Sequence, residues 1–280
     1  MLELVVKHWF SALLVVLAAT FGLAFSAVAA PNGRLRVLTY NVAGLPEGIS
    51  RSRPLANHPL IGERLNQYDL ALVQEDFAYA RELRKTIGLP YQSQPFVRGQ
   101  RMDFGDGLSV FSRFLFPEPR RTPWSSCHGI TGHFFDCLTP KGFSVTTLEL
   151  GHGVPLDVWN VHLDAGFSAG DRAARASQLE QLAEAVRLHS GDRALIVAGD
   201  FNLSSAEVEQ LRLFQRATAT RDACRATRCP QPWRIDRVLF RPSKALPLAA
   251  TRWRLPPGFV DTRGAPLSDH APVAVDFSWR

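Results

Sequence analysis

The feature that most restricts this chain is the way its short apolar runs stop or start on chemically active side chains. Residues 35–40 end at Asn41, 70–74 at Glu75, 156–161 at His162, and 194–198 lead through Gly199 to Asp200, Phe201 and Asn202. Two later runs reverse the order: Asp236 precedes 238–240, and Asp269-His270 precede 273–277. Runs of this length and composition predict strands. Antiparallel neighbours set the end of one strand beside the start of the next, so all six polar groups are expected on one rim of the sheets. Convergent Asn, Glu, Asp and His at a rim describe a site rather than a core.

Between these runs, 107–112 and 143–150 predict further strands, and 61–68 a short helix with Ile61, Leu65 and Tyr68 on one side. Asp171 is placed to cap a longer helix to His189, whose apolar stripe is Leu179, Leu182, Ala183 and Val186. No internal repeat or long linker interrupts the order. With 46% apolar and 21% charged residues, the composition excludes intrinsic disorder. One domain over 30–280 is expected, a β-sandwich with helices on its outer faces.

Residues 1–29 read as a cleavable secretory signal. Lys7 and His8 precede an apolar run, and Ala27-Val28-Ala29 offers a cleavage site before Ala30. An uncleaved membrane anchor is the alternative. A secreted or periplasmic location follows from the first reading. It agrees with four cysteines, Cys127, Cys137, Cys224 and Cys229, whose proximity favours 127–137 and 224–229 disulfides. Cys127, His128, His133 and Cys137 also form a rival zinc set. The formal net charge is +6, and twelve Lys/Arg face three Asp between Arg212 and Arg263. That segment suits a polyanion, an anionic membrane or a phosphate substrate, and equally a plain solvated face.

The rim residues supply hard oxygen ligands and two histidines with carboxylates nearby, while a G-x-S-x-G elbow, a Walker loop and an H-E-x-x-H helix are absent from the sequence. Oxygen ligands favour Mg²⁺, Mn²⁺ or Ca²⁺ over zinc. A cation with a His–carboxylate pair is equipment for water attack on a phosphorus ester.

In its motifs the chain resembles the endonuclease/exonuclease/phosphatase superfamily of DNase I-like nucleases, inositol polyphosphate phosphatases and neutral sphingomyelinases. The matching segments are Leu38-Thr39-Tyr40-Asn41-Val42, Val73-Gln74-Glu75, Asp106-Gly107-Leu108-Ser109-Val110, Asn160-Val161-His162-Leu163, Gly199-Asp200-Phe201-Asn202, Ile235-Asp236-Arg237 and Ser268-Asp269-His270-Ala271-Pro272-Val273. The resemblance implies an α+β, DNase I-like fold: a four-layer α-β-β-α sandwich of two mainly antiparallel sheets. It implies Glu75 as main metal ligand, helped by Asn41 and Asp269; His270, oriented by Asp236, as the base; and His162 as the second histidine, paired with Asp106. Asp200 and Asn202 would position nucleophile and phosphate.

The segment Asp136-Cys137-Leu138-Thr139-Pro140-Lys141-Gly142-Phe143 is similar to an element of the sphingomyelinase-like branch and offers Lys141 to a substrate phosphate. DNase I-like nucleases carry arginine where this chain has Phe77. The expected activity is therefore hydrolysis of a phosphodiester, with a phosphosphingolipid or phospholipid head group ahead of DNA or RNA. Trp253 and Phe259, flanking Pro256-Pro257, are candidates for peripheral membrane contact. No obligate protein partner is evident. A binding module that kept the fold and lost catalysis is the reading from another class.

Overall fold

The computed structural model describes residues 32–50, 52–96, 105–129, 137, 139–151 and 153–280. The expected signal segment 1–29, His133 and Asp136 lie outside the described residues. Along the chain run β1 (Gly33–Asn41), α1 (Pro54–Leu65), β2 (Leu70–Gln74), α2 (Ala80–Arg84), β3 (Tyr91–Gln92), β4 (Ser109–Ser112), β5 (Arg120–Pro123) and β6 (Gly142–Glu149). Then follow β7 (Pro155–His162), α3 (Ala169–Ser190), β8 (Leu195–Asp200), α4 (Val208–Thr218), β9 (Arg221–Asp222), α5 (Ala223–Ala226), β10 (Asp236–Arg241), β11 (Ala249–Arg254) and β12 (Val273–Trp279).

Two six-stranded sheets form, in the orders β11-β12-β1-β2-β4-β3 and β5-β6-β7-β8-β10-β9. Side-chain alternation assigns their faces. Leu35, Val37, Leu70 and Leu72 of the first sheet meet Val158, Ile196, Ala198 and Val238 of the second in one apolar layer. On the outer face of the first sheet, Leu38, Tyr40, Ala71 and Val73 pack with Ile61 and Leu65 of α1 and Leu83 of α2. On that of the second, Trp159, Val161, Leu195 and Val197 pack with Leu179, Leu182 and Val186 of α3 and Phe214 of α4. Three apolar layers between four structural ones make the α-β-β-α sandwich that the sequence predicts.

A polar seam crosses the central layer. Gln74 Nε2 donates to Asn160 Oδ1 at 2.7 Å, and Asn160 Nδ2 donates to the carbonyls of Val73 (2.9 Å) and Ser109 (3.1 Å). Both amides are fully buried. Such groups are stable inside only when bonded, so they admit one register between the sheets.

Several expectations are corrected. The strand ends do not converge by antiparallel pairing alone, because β1–β2 and β7–β8 are parallel pairs. The first helix begins at Pro54, where proline at the first turn costs no hydrogen bond. The cap of α3 is Ser168; Asp171 is its capping-box partner at the third helical position. Cys127–Cys137 and Cys224–Cys229 are disulfides, which removes the zinc set. His128 instead bonds Asp171 through Nδ1 at 2.7 Å. Phe259 is buried edge-on against Tyr40 with ring centroids 5.1 Å apart, and Trp253 packs half-buried on the central layer. Phe259 is therefore committed to the core, and Trp253 is only partly exposed.

Candidate active site

Each parallel pair brings two strand ends side by side. Asn41 of β1 pairs with Gln74 of β2, so Glu75 leaves the sheet next to Asn41. Glu75 has φ +58°, a left-handed conformation that is costly for a residue with a Cβ. Surrounding bonds hold it: Gly44 N donates to Glu75 O (3.0 Å), and Asp76 N donates to Gly107 O (2.9 Å). The Asp76 carboxylate accepts Arg84 Nη1 at 2.6 Å and Ser109 Oγ at 2.7 Å. The turn aims Glu75 back at Asn41, whose Nδ2 donates to Glu75 Oε1 at 3.0 Å.

In the second sheet His162 of β7 pairs with Asp200 of β8, and Asp200 with Asp236 of β10. Gly199 permits this approach. Its φ is +151°, and a Cβ there would collide with the Val161 carbonyl. After Asp200 the chain turns through Asn202 at φ +50°. Asn202 N donates to Asp200 Oδ1 (3.0 Å), and its Nδ2 donates to Leu163 O (3.0 Å), joining the turns that follow β7 and β8.

Asp200 Oδ2 is the centre of the arrangement. It accepts Asn41 Nδ2 at 3.2 Å, a bond that ties the two sheets. His162 Nε2 lies 3.5 Å away and His270 Nε2 3.7 Å away. His162 Nε2 is also 3.9 Å from Glu75 Oε1. On its other side His270 Nδ1 meets Asp236 Oδ1 and Oδ2 at 3.0 and 3.1 Å. Ser268 fixes the approach to β12: its hydroxyl donates to Asn41 O at 2.8 Å and accepts His270 N at 3.2 Å.

These contacts set the charges. Burial alone would lower the basicity of His270, but Asp200, Asp236 and Asp269 overcome it and raise its pKa to about 10. Burial raises Asp200 to about 6, aided by Asp236 and opposed by His270, Lys141 and Asn41. Burial pushes His162 well below its ordinary value, and the charges of Lys141 and His270 push the same way. At neutral pH His162 is therefore neutral and His270 an imidazolium beside carboxylates.

The structure brings together Asn41, Glu75, His162, Asp200, Asp236 and His270, with Asn202 bonded to Asp200 and Lys141 buried within electrostatic reach of His162 and Asp200. Asp269 is exposed beside His270 and acts on it by charge. Asp106 stands apart. Its carboxylate accepts Arg121 Nη1 at 2.7 Å and Leu108 N at 2.9 Å, while among the described residues His162 Nδ1 has no hydrogen-bond partner. The Gly-Asp-Gly turn uses this carboxylate locally, which corrects the expected pairing.

Sequence reasoning missed Arg234, whose Nη2 contacts Asp236 Oδ2 at 3.3 Å and Ala271 O at 3.2 Å, and the Asp76–Arg84 anchor beneath Glu75. Arg234 stands two residues before Asp236, a spacing that carries no signal by itself. Phe77 is buried, with its ring against Gly107.

The donor chemistry fits a hard divalent cation: Glu75, Asp200 and Asp269 offer carboxylate oxygens on one rim. Asn41 is turned otherwise. Ala43 N occupies its Oδ1 at 3.0 Å, so its nitrogen faces the carboxylates. Asp200, Asp236 and His270 also offer ligand atoms within 4.8 Å of one another. The short His270–Asp236 bond and the high pKa of the histidine account for that closeness as a hydrogen-bonded dyad.

Comparison with known proteins agrees with this geometry. The chain is 32% identical over 273 residues to a sphingomyelinase of Mycobacterium tuberculosis, a match that takes in 89% of this chain and spans about half (53%) of that relative's length. Among solved structures it resembles a Staphylococcus aureus beta toxin mutant with bound magnesium ions (TM-score 0.64, 17% identity, 87% of this chain and 99% of that one). It also resembles Danio rerio TDP2 complexed with a single-stranded DNA product (TM-score 0.65, 19% identity, 87% of this chain and 98% of that one). The Endonuclease/Exonuclease/phosphatase family model matches residues 38–270, from the run that leads to Asn41 through to His270 itself, and the chain belongs to that family.

Proposed function

We propose that the chain hydrolyses a phosphodiester by attack of water assisted by a divalent cation, and that its substrate is the head group of a phosphosphingolipid or phospholipid. The observation that carries this reading is one buried carboxylate, Asp200, shared by two histidines and joined through Asn41 to Glu75. Mg²⁺, with Mn²⁺ or Ca²⁺ as substitutes, would be held by Glu75 and Asp269, with Asn41 fixing Glu75 through its amide nitrogen, and would supply positive charge to the phosphoryl oxygens.

His270, oriented by Asp236, takes the proton of the attacking water in its neutral form. Its high proton affinity gives the reaction an alkaline preference. His162 is the second histidine, neutral and buried, with Nε2 facing the oxygens of Asp200 and Glu75. Asp200 and Asn202 position nucleophile and phosphate, and Lys141 meets the phosphate as a point charge. Asp106, committed to Arg121, orders the start of β4.

Two observations favour a lipid substrate. The relative at 32% identity is a sphingomyelinase. Ile49, Phe167 and Trp233 are 64%, 76% and 63% exposed on the loops that follow β1, follow β7 and precede β10, the ends that carry the site. The basic C-terminal segment is less available to DNA than its charge implies. Arg212 and Arg216 pair with Glu209, Arg237 with Asp222, and Arg254 with Asp276. The two disulfides support a secreted or periplasmic location.

The test is a side-by-side assay with Mg²⁺, sphingomyelin liposomes and plasmid DNA. Release of phosphocholine without nicking is expected. Nicking alone would assign a nuclease, and binding without turnover of either would assign a binding module.

A further inference from the structure

Away from the catalytic rim, the outer face of the first sheet carries a cleft of about 400 Å³ lined by Arg36, Arg64, Arg252 and Arg254, with Gln67, Tyr68 and a Pro256–Phe259 wall. That is the size of a small-ligand site. Strand register builds it. Arg36 of β1 and Arg252 of β11 both stand opposite Asp276 of β12, so the three side chains form one row across adjacent strands. Arg36 lies five residues before Asn41 on the same strand, about 17 Å at 3.3 Å per residue. The scissile phosphate of a substrate at the rim cannot occupy both places.

The charges of the lining do not cancel. Arg36 forms a two-point pair with Asp69, which Arg113 also contacts, and Arg254 pairs with Asp276 at 2.7 Å. Among the described residues, the other two guanidinium groups have no carboxylate partner. Arg64 donates to the carbonyls of Leu60 (2.7 Å), Val260 (2.8 Å) and Gly258, neutral acceptors that orient its fork without neutralising it. Arg252 is exposed and makes no ion pair among the described residues. Tyr68 is buried in the floor, with its hydroxyl bonded to Arg254. Arg252 and, in the wall, Pro257 and Gly258 are exposed, so the cleft opens to solvent. An oriented guanidinium and an exposed one around one concavity are the groups that recognise a multiply charged phosphate oxyanion.

We propose that this cleft is a second, non-catalytic binding site for a phosphate-type oxyanion, anchored by Arg64 and Arg252. The phosphate can belong to a soluble compound or to a phosphomonoester lipid head group, and the experiment separates the two. Pyrophosphate is titrated into the full chain calorimetrically in EDTA, so that no cation bridges it to the catalytic rim. In parallel, phosphatidylcholine vesicles with and without phosphatidate are tested for cosedimentation. The variants are Arg252→Glu, which changes an exposed side chain, and Arg252→Lys, which keeps the charge but loses the fork.

The expected result is pyrophosphate binding that weakens about tenfold or more in Arg252→Glu and less in Arg252→Lys, with both variants keeping wild-type melting and wild-type hydrolysis of a soluble phosphodiester. Dependence on Arg252 for phosphatidate vesicles but not for pyrophosphate would support the site and assign its ligand to a lipid. Equal binding of both probes by wild type and Arg252→Glu, or no binding of either probe by wild type, would overturn the proposal.

Discussion

Replacing Asp236 by Asn removes a carboxylate charge 3.0 Å from His270 Nδ1 while keeping a group of the same shape. The pKa of His270 stands at about 10 against an ordinary value of 6.5, in spite of burial that opposes the charged form. At about 1.4 kcal/mol per pKa unit, that elevation is a net preference of about 5 kcal/mol for the imidazolium, what remains of its attraction to the carboxylates after the cost of burial. Asp200 and Asp269 remain in the variant, so the pKa of His270 should fall to about 8, the change expected for one close opposite charge. An NMR titration of the His270 ring in metal-free protein reads this directly.

The same change appears in stability, and its sign is fixed. A histidine whose folded pKa is raised contributes stability that is complete below about 6.5 and is lost as pH climbs through its folded value. Urea unfolding of wild type and Asp236→Asn should therefore differ most near pH 6 and converge towards pH 10. A His270 that titrates near 6.5 in both proteins, or a stability difference that does not change over that window, would refute the dyad.

Glu75→Gln keeps the bond to Asn41 but removes the negative charge. It should lower Mg²⁺-dependent kcat/KM on a soluble phosphodiester by about a hundredfold or more, and unchanged turnover would show that the cation sits elsewhere. Arg175→Ala should cost about 3–5 kcal/mol in urea unfolding, since its guanidinium is buried with Glu207 at 2.8 Å and also donates to the carbonyls of Asp164 and Gly166. A variant carrying Met at both 175 and 207 should recover much of that loss, and no recovery would mean that the carbonyl contacts, not the ion pair, dominate.

Much of the candidate rim was legible because strand periodicity and residue chemistry coincide at its positions. Each run ends where a side chain can no longer be apolar, and the six ends do meet. What the sequence left hidden is long-range or backbone-borne. The parallel pairing of β1 with β2 and of β7 with β8 depends on crossovers that leave no local pattern. Glu75 and Asn202 adopt left-handed backbone conformations that neither residue type signals strongly. Helix α4 (Val208–Thr218) was missed although Leu211, Phe214 and Thr218 recur at helical spacing on one buried face, a signal the sequence does carry. Asp106 shows the opposite failure: a carboxylate between two glycines is placed as well for a local turn as for a distant histidine, and here Leu108 and Arg121 take it.

The seam beneath the rim explains why the site can rest on so few side-chain bonds. Asp200 and Glu75 belong to different sheets, and one amide, Asn41, spans them at 3.2 and 3.0 Å. A one-residue slip of one sheet past the other would move Asp200 by about 3.3 Å relative to Asn41 and break the bond between them. Directly below, Gln74 Nε2 donates to Asn160, Asn160 donates to the carbonyls of Val73 and Ser109 in the facing strands, and each amide is the neighbour, one or two residues back, of a rim side chain: Gln74 of Glu75, Asn160 of His162. Slipping the sheets would leave these buried amides unpaired at a cost of about 1–3 kcal/mol for each lost partner. The polar seam thus holds the register, the register brings Asp200 to Asn41, and the distance between the carboxylates that any cation must fit is set one layer below the groups that would bind it.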